Sequence, residues 1–324
     1  MEKNIVIKNE KIASESLRGN ALEDPAEREV IFIDCNATDS SPVLIGLAGF
    51  FGSARNFLNR SYSNQDFLST LENILGRNPD LSFSVVLPDT MTLLGGNQYL
   101  NSPAVGNYED FIAKEIVDLI RRRYGKIKIG LFGKSSGGFG SYTLTARNPS
   151  IFSGFIDVSG DSAFEYCYMR DFPAAIEIVS KSGIAAFLKD FWSRPTHSHK
   201  EMDAINIIAM SAFYSPGHGY EMGIELPFET ETGILRGDVW KKWKKMDPVE
   251  NVTQYSAALS GKTILLQAGL KDEFAINIGI RALSRKMDKL GIKNRLMEYD
   301  EGHFSIEYLY EDSIPLLVRG LSEQ

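Results

Sequence analysis

Cysteine and histidine are scarce in this chain, with only two of the first and four of the second among 324 residues. Two thiols, Cys35 and Cys167, are too few for a disulfide framework and lack metal-ligand spacing, although a single bridge between them stays open. Positive charge is not in excess either. Thirty-five Lys and Arg stand against 42 Asp and Glu, and the net charge of −7 argues against generic binding to nucleic-acid phosphates or anionic membranes. The basic run 241–245 is short and isolated, and reads as a solvated helix face. Long hydrophobic runs are missing: the longest, 43–51, is far too short to span a bilayer. At the N-terminus Met1-Glu-Lys-Asn4 is followed by only Ile5, Val6 and Ile7 before charge returns at Lys8, which is no signal-peptide pattern. Repeats and low-complexity tracts are absent. These absences lead us to expect a soluble, cytoplasmic protein whose partner is a small molecule, not nucleic acid or membrane. Oligomeric state is not legible, and a homo-oligomer stays open.

Apolar residues make up 43% of the chain and charged residues 24%, enough for a substantial core in one large α/β domain or two average ones. From Arg28 onward strand and helix patterns alternate. Residues 28–34 and 42–47 read as strands, and 64–76 as a helix with Phe67, Leu68, Leu71, Ile74 and Leu75 on one stripe. A strand at 84–88 follows. Residues 108–124 then read as a helix opened by Glu109 and Asp110, closed by Arg121, Arg122 and Arg123, and stopped by Gly125. Next come a strand at 126–132, a helix through 141–147 and a strand at 155–159. A long stretch, about 161–260, breaks the alternation. It resumes with a strand at 263–268, a helix at 275–290, a strand at 295–299 and a C-terminal helical region that Pro315 should split. Such alternation predicts a mainly parallel sheet with helices on both faces and functional residues at the carboxyl ends of strands.

The strand at 126–132 runs into Gly133-Lys134-Ser135-Ser136-Gly137. A serine held at a sharp strand-to-helix turn needs small residues on either side, and Ser135 is the one serine here with glycines at both −2 and +2. Its hydroxyl is a poor nucleophile unless a base takes its proton and a further group orients that base. His303 lies in a loop just past the last strand, and Asp272 lies in a turn just past the strand at 263–268. Asp272 would otherwise be an ordinary helix N-cap, and His303 an ordinary loop histidine. Serine, acid and histidine in this chain order, each beyond its own strand, point instead to one acyl-transfer site. Two backbone N–H groups should face the developing oxyanion: that of Ser136, and that of Phe50 in the glycine-rich loop after 42–47, with Phe51 as the alternative.

At these residues the chain resembles the esterase D-like branch of the α/β-hydrolases, which includes S-formylglutathione hydrolases, enterochelin and feruloyl esterases, and mycolyl transferases. The resemblance covers most of the chain. It is carried by Leu47-Ala-Gly-Phe-Phe-Gly52, Tyr99-Leu-Asn-Ser-Pro103 with Gly106-Asn-Tyr-Glu-Asp-Phe111, Gly133-Lys-Ser-Ser-Gly-Gly138, Gly269-Leu-Lys-Asp-Glu-Phe274 and Glu301-Gly-His303. It implies one α/β-hydrolase domain over 1–324 with a cap inserted at about 161–260, no cofactor and no metal. It also implies a serine carboxylesterase acting on carboxylic or thioesters through an acyl-enzyme, with Ser135, Asp272 and His303 as nucleophile, acid and base. An acyltransferase using the same acyl-enzyme, or a catalytically silent binding protein, are the alternatives. Two positions depart from the family pattern: Ala48 stands where a histidine is common, and Lys134 where histidine or a hydrophobe is. The physiological ester is not legible.

The stretch 161–260 holds all three tryptophans and many other aromatics. A small core of its own is the preferred reading, ahead of an aromatic lid over the pocket. Trp240 and Trp243, three apart on one helix face, should pack together. His197 and His199, with Glu201 or Asp203, read as a solvated polar cluster before a metal site.

Overall fold

In the computed structural model, residues 4–60 and 65–323 are described. Eight strands form one sheet in the order β1-β2-β4-β3-β7-β8-β9-β10, where β1 is Ile5–Ala13, β2 Glu27–Cys35, β3 Val43–Leu47, β4 Phe83–Pro88, β7 Ile129–Lys134, β8 Phe152–Val158, β9 Thr263–Gly269 and β10 Arg295–Tyr299. A small hairpin, β5 (Asn101–Ser102) and β6 (Gly106–Asn107), stands apart. From β4 through β3, β7, β8 and β9 to β10 every pairing is parallel. The inner strands β3 and β4 are buried at every residue, as strands covered on both faces must be. The antiparallel edge made by β1 and β2 is the exception to the parallel expectation. Strand β1 escaped sequence reading because Lys8, Glu10 and Lys11 interrupt its apolar residues, as suits an exposed edge.

Two cores flank the sheet. One holds the helix over 108–124, the helix Ser136–Arg147 and the helix Ile276–Lys289. The other holds Phe67–Arg77 and Tyr310–Ser322. The first of these last two starts at Phe67 because the Asp66 carboxylate accepts from the Ser69 N–H, which caps it; Asn64, where the helix was expected to begin, lies outside the described residues. The helix over 108–124 is continuous, but Phe111–Ile116 is π-helical before Val117–Tyr124 resumes the α form and Gly125 ends it at φ 79°. Pro315 does not split the C-terminal helix, which runs unbroken through Tyr310–Ser322. Burial of Ile314, Leu317, Val318 and Leu321 against the sheet outweighs the one backbone hydrogen bond that proline removes.

Between β8 and β9 the chain is mostly helical, apart from the irregular stretch 215–236. Of its helices Phe172–Ser182, Ile184–Ser193, His199–Tyr214 and Gly237–Met246, the last carries Trp243, which is fully buried, with ring centroids 5.9 Å from Phe172, 5.6 Å from Tyr168 and 5.2 Å from Tyr214. Trp240 and Trp243 do pack together, at 5.7 Å. Trp192 differs: it is 42% exposed, and its indole N–H donates to the Leu93 carbonyl at 2.7 Å. The basic run is more than a solvated face. Lys242 pairs with the buried Glu225 at 2.5 Å, and Lys244 with Glu250 at 3.0 Å and also with Glu165. Cys35 and Cys167 are both free and buried, so no bridge joins them.

Candidate active site

Strand β7 delivers the chain to Ser135, whose φ of 57° and ψ of −127° are strained for a residue with a side chain. The helix begins at once with Ser136, five residues before the apolar pattern suggests. Sterics explain the flanking glycines. A Cβ on Gly133 would run into the backbone of Gly137, and one on Gly137 into the carbonyl of Leu47. The turn is tied down by the Ser135 N–H to Val158 carbonyl bond at 2.9 Å and the Phe139 N–H to Ser135 carbonyl bond at 3.0 Å.

Asp272 and His303 meet across the carboxyl ends of β9 and β10, with Nδ1 and Oδ2 2.9 Å apart. Asp272 is not the N-cap, a position that falls on Ala275, but its other oxygen, Oδ1, accepts from the N–H groups of Phe274 at 2.9 Å and Ile276 at 3.4 Å. One oxygen shapes the turn while the second meets the imidazole. Burial pushes the Asp272 carboxyl up, but the hydrogen bond and charge of His303, with the Phe274 N–H, outweigh it and hold the group below the usual carboxylate range. An ionised Asp272 only accepts, so Nδ1 carries the ring proton and Nε2 is left with the lone pair. The His303 ring is further fixed edge-on to Phe274 at 4.8 Å, and its backbone N–H donates to Glu273 at 2.6 Å.

Ser135, His303 and Phe50 line one cavity of about 360 Å³. No hydrogen bond joins the Ser135 hydroxyl to the imidazole among the described residues; such bonds are often long before substrate binds. Of the two loop amides, that of Phe51 is engaged, donating to the Gly95 carbonyl at 2.6 Å, whereas that of Phe50 has no acceptor among the described residues. Gly49 lies against the elbow, where a Cβ would come 3.0 Å from the Lys134 carbonyl. The carbonyl of Ala48 is held by the Tyr99 hydroxyl at 2.6 Å, which anchors the loop. Lys134 also finds a reason: it pairs with Glu307 at 2.7 Å beneath the exposed ring of Phe304, tying the elbow to the start of the C-terminal helix.

Sequence reasoning missed a buried polar network beside the elbow. The Ser136 hydroxyl accepts from Gln98 Nε2 at 2.7 Å and donates to Asp161 Oδ2 at 3.2 Å, and Tyr168 donates to the same oxygen at 2.7 Å. One member left a trace in the sequence, since Asp161 follows β8 as Asp272 follows β9, but its partners Gln98 and Ser136 left none. Of the polar cluster in the helical stretch, His197 stacks on Phe191 at 3.6 Å, and Glu201 caps Ser198 and pairs with Arg194. Among the described residues no group of three or more His, Cys, Asp or Glu could hold a metal ion. Nor is any helix there long and apolar enough to cross a membrane.

A mostly parallel sheet, covered on both faces, with a strained serine at a strand-to-helix turn defines an α/β-hydrolase fold. Solved structures agree. The chain is similar to a ferulic acid esterase (14% identity, 99% of this chain and 100% of that one covered, TM-score 0.61). It is also similar to S-formylglutathione hydrolases from Agrobacterium tumefaciens (15%, 99% and 99%, 0.55) and Staphylococcus aureus (11%, 97% and 99%, 0.58). No curated protein matches the chain. Residues 97–311 match the Esterase family model, described as "Putative esterase". The chain belongs to that family and is an ester-hydrolysing enzyme.

Proposed function

We propose that the chain is a serine carboxylesterase in which Ser135 is the nucleophile, His303 the general base and acid, and Asp272 the group that orients the imidazole. The observation that carries this reading is a strained Ser135 facing the same cavity as His303, whose Nδ1 is bound to an ionised Asp272. Ser135 Oγ attacks the ester carbonyl as Nε2 of His303 takes its proton. The amides of Phe50 and Ser136 stabilise the oxyanion that forms, a contribution typically of about 3–4 kcal/mol per donor. The imidazolium then protonates the leaving alcohol, leaving Ser135 acylated. Water, deprotonated by His303, cleaves that acyl-enzyme and restores the hydroxyl. The helical stretch over about 161–260 acts as a cap, contributing Tyr168 and Asn206 to the cavity wall. Wild type should hydrolyse short p-nitrophenyl esters and be labelled at Ser135 by a fluorophosphonate, and Ser135→Ala should lose both. Equal hydrolysis by the two proteins overturns the reading.

A further inference from the structure

Three carboxyl groups, those of Asp161, Asp171 and Asp203, line the cavity beside Ser135. Asp161 is 5% exposed, and its Oδ2 accepts from Tyr168, Gln98 and Ser136 at 2.7, 3.2 and 3.2 Å. All three donors are neutral. Its other oxygen, Oδ1, has no hydrogen-bond partner among the described residues, yet it is not sealed off, because Asp161 lines the cavity. Asp171, also 5% exposed, and Asp203 line the same cavity from the helical stretch. Asp171 is met by the Asn206 amide at 3.4 Å and by Arg170 at 3.6 Å, a cation half exposed to solvent. Asp203 joins no ion pair among the described residues. On the basic side of the wall, Lys134 is already paired with Glu307 at 2.7 Å, and His199 is exposed at the start of its helix.

This arrangement sets a problem for the chemistry. An ionised Asp161 touches Ser136, the residue whose amide is to stabilise the oxyanion, and a carboxylate there opposes the negative charge that must develop. The enzyme's own cations do not offset it. Burial pushes the Asp161 carboxyl up, with only His303 among charged groups acting to lower it, and burial pushes Asp171 up to about 6. A ligand that brings its own positive charge would satisfy the free Oδ1 and cancel the repulsion in one step.

We infer that the cavity takes esters bearing an ammonium group, with Asp161 as its direct carboxylate contact and Asp171 and Asp203 as the outer part of the same cation site. The inference rests on the esterase reading above. The ammonium group belongs either to the acyl part of the ester or to its alcohol, and the two sources are separable with isosteric pairs. L-alanine methyl ester is compared with methyl 2-methylpropanoate, and acetylcholine with 3,3-dimethylbutyl acetate. We expect wild type to favour the cationic member of at least one pair by tenfold or more in kcat/KM. That ratio should fall to within about threefold of unity in Asp161→Asn and shrink in Asp171→Asn. Turnover of the neutral esters without preference for the cationic ones overturns the inference and leaves the esterase reading intact. A preference that both variants retain also overturns it. Failure to turn over either member of both pairs, with no fluorophosphonate labelling, overturns both readings together.

Discussion

Strands β8 and β9 lie side by side, and each releases an aspartate three residues past its end, Asp161 after Val158 and Asp272 after Gly269. Both carboxylates are almost wholly buried and both accept several hydrogen bonds. Their acidities nevertheless move in opposite directions: Asp161 is raised and Asp272 lowered. Burial penalises the charged form at both sites. What separates them is that Asp272 meets an imidazole able to become cationic, whereas Asp161 meets a phenol, an amide and a hydroxyl. At the β9 end the fold gives the carboxylate a basic ring as its partner. At the β8 end it gives only neutral donors.

The sharpest way to break this comparison is to neutralise the β9 side. Asp272→Asn keeps an oxygen for the Phe274 amide but offers His303 either the wrong tautomer or no carboxylate. Its kcat/KM should fall by roughly 10³–10⁴ with little change in melting temperature. Steady-state kinetics and a thermal melt measure the two together, and a loss smaller than tenfold would leave Asp272 only its role in shaping the turn.

A smaller effect is expected from Asp157, on β8 itself, which burial raises from 3.8 to about 8. Because the folded state holds this proton more tightly than the unfolded chain does, stability is lost as pH climbs from about 4 and levels off above about 8. Between pH 5 and pH 9 wild type should lose about 5 °C more in melting temperature than Asp157→Asn does. Parallel melts test it, and identical pH profiles contradict it. Asp272 has the opposite sign, its contribution fading only as pH drops below 3.8 towards its lowered value.

The least effect belongs to Glu307→Gln, which frees Lys134 from a pair that is partly exposed on the Glu307 side. A stability change below about 1 kcal/mol is expected. Chemical denaturation resolves this, and a larger loss would show that the elbow depends on that tie.

The ordering of strands and helices was readable from Arg28 onward because buried parallel strands are nearly unbroken apolar runs. The elbow was readable because only glycine survives the contacts at Gly133 and Gly137. Asp272 and His303 were legible by chain order, and that order is a property of the fold. The edge strand β1 was not, since one-sided burial leaves a weak pattern. Nor was the persistence of the helix through Pro315, which depends on packing between distant residues. The network joining Gln98, Ser136 and Asp161 unites three segments 25 or more residues apart, and no local spacing records it. That the Phe51 amide is engaged rests on the Gly95 carbonyl, which only the folded loop brings near.

The long helical excursion leaves from the end of β8 and returns at the start of β9, two strands that are hydrogen-bonded neighbours from Gly154↔Thr263 to Val158↔Gln267. An excursion anchored in this way can lengthen, shorten or be exchanged without shifting the register of any strand pair. Its helices and loops are therefore free to change while the Ser135 turn and the Asp272–His303 pair keep their places at the strand ends.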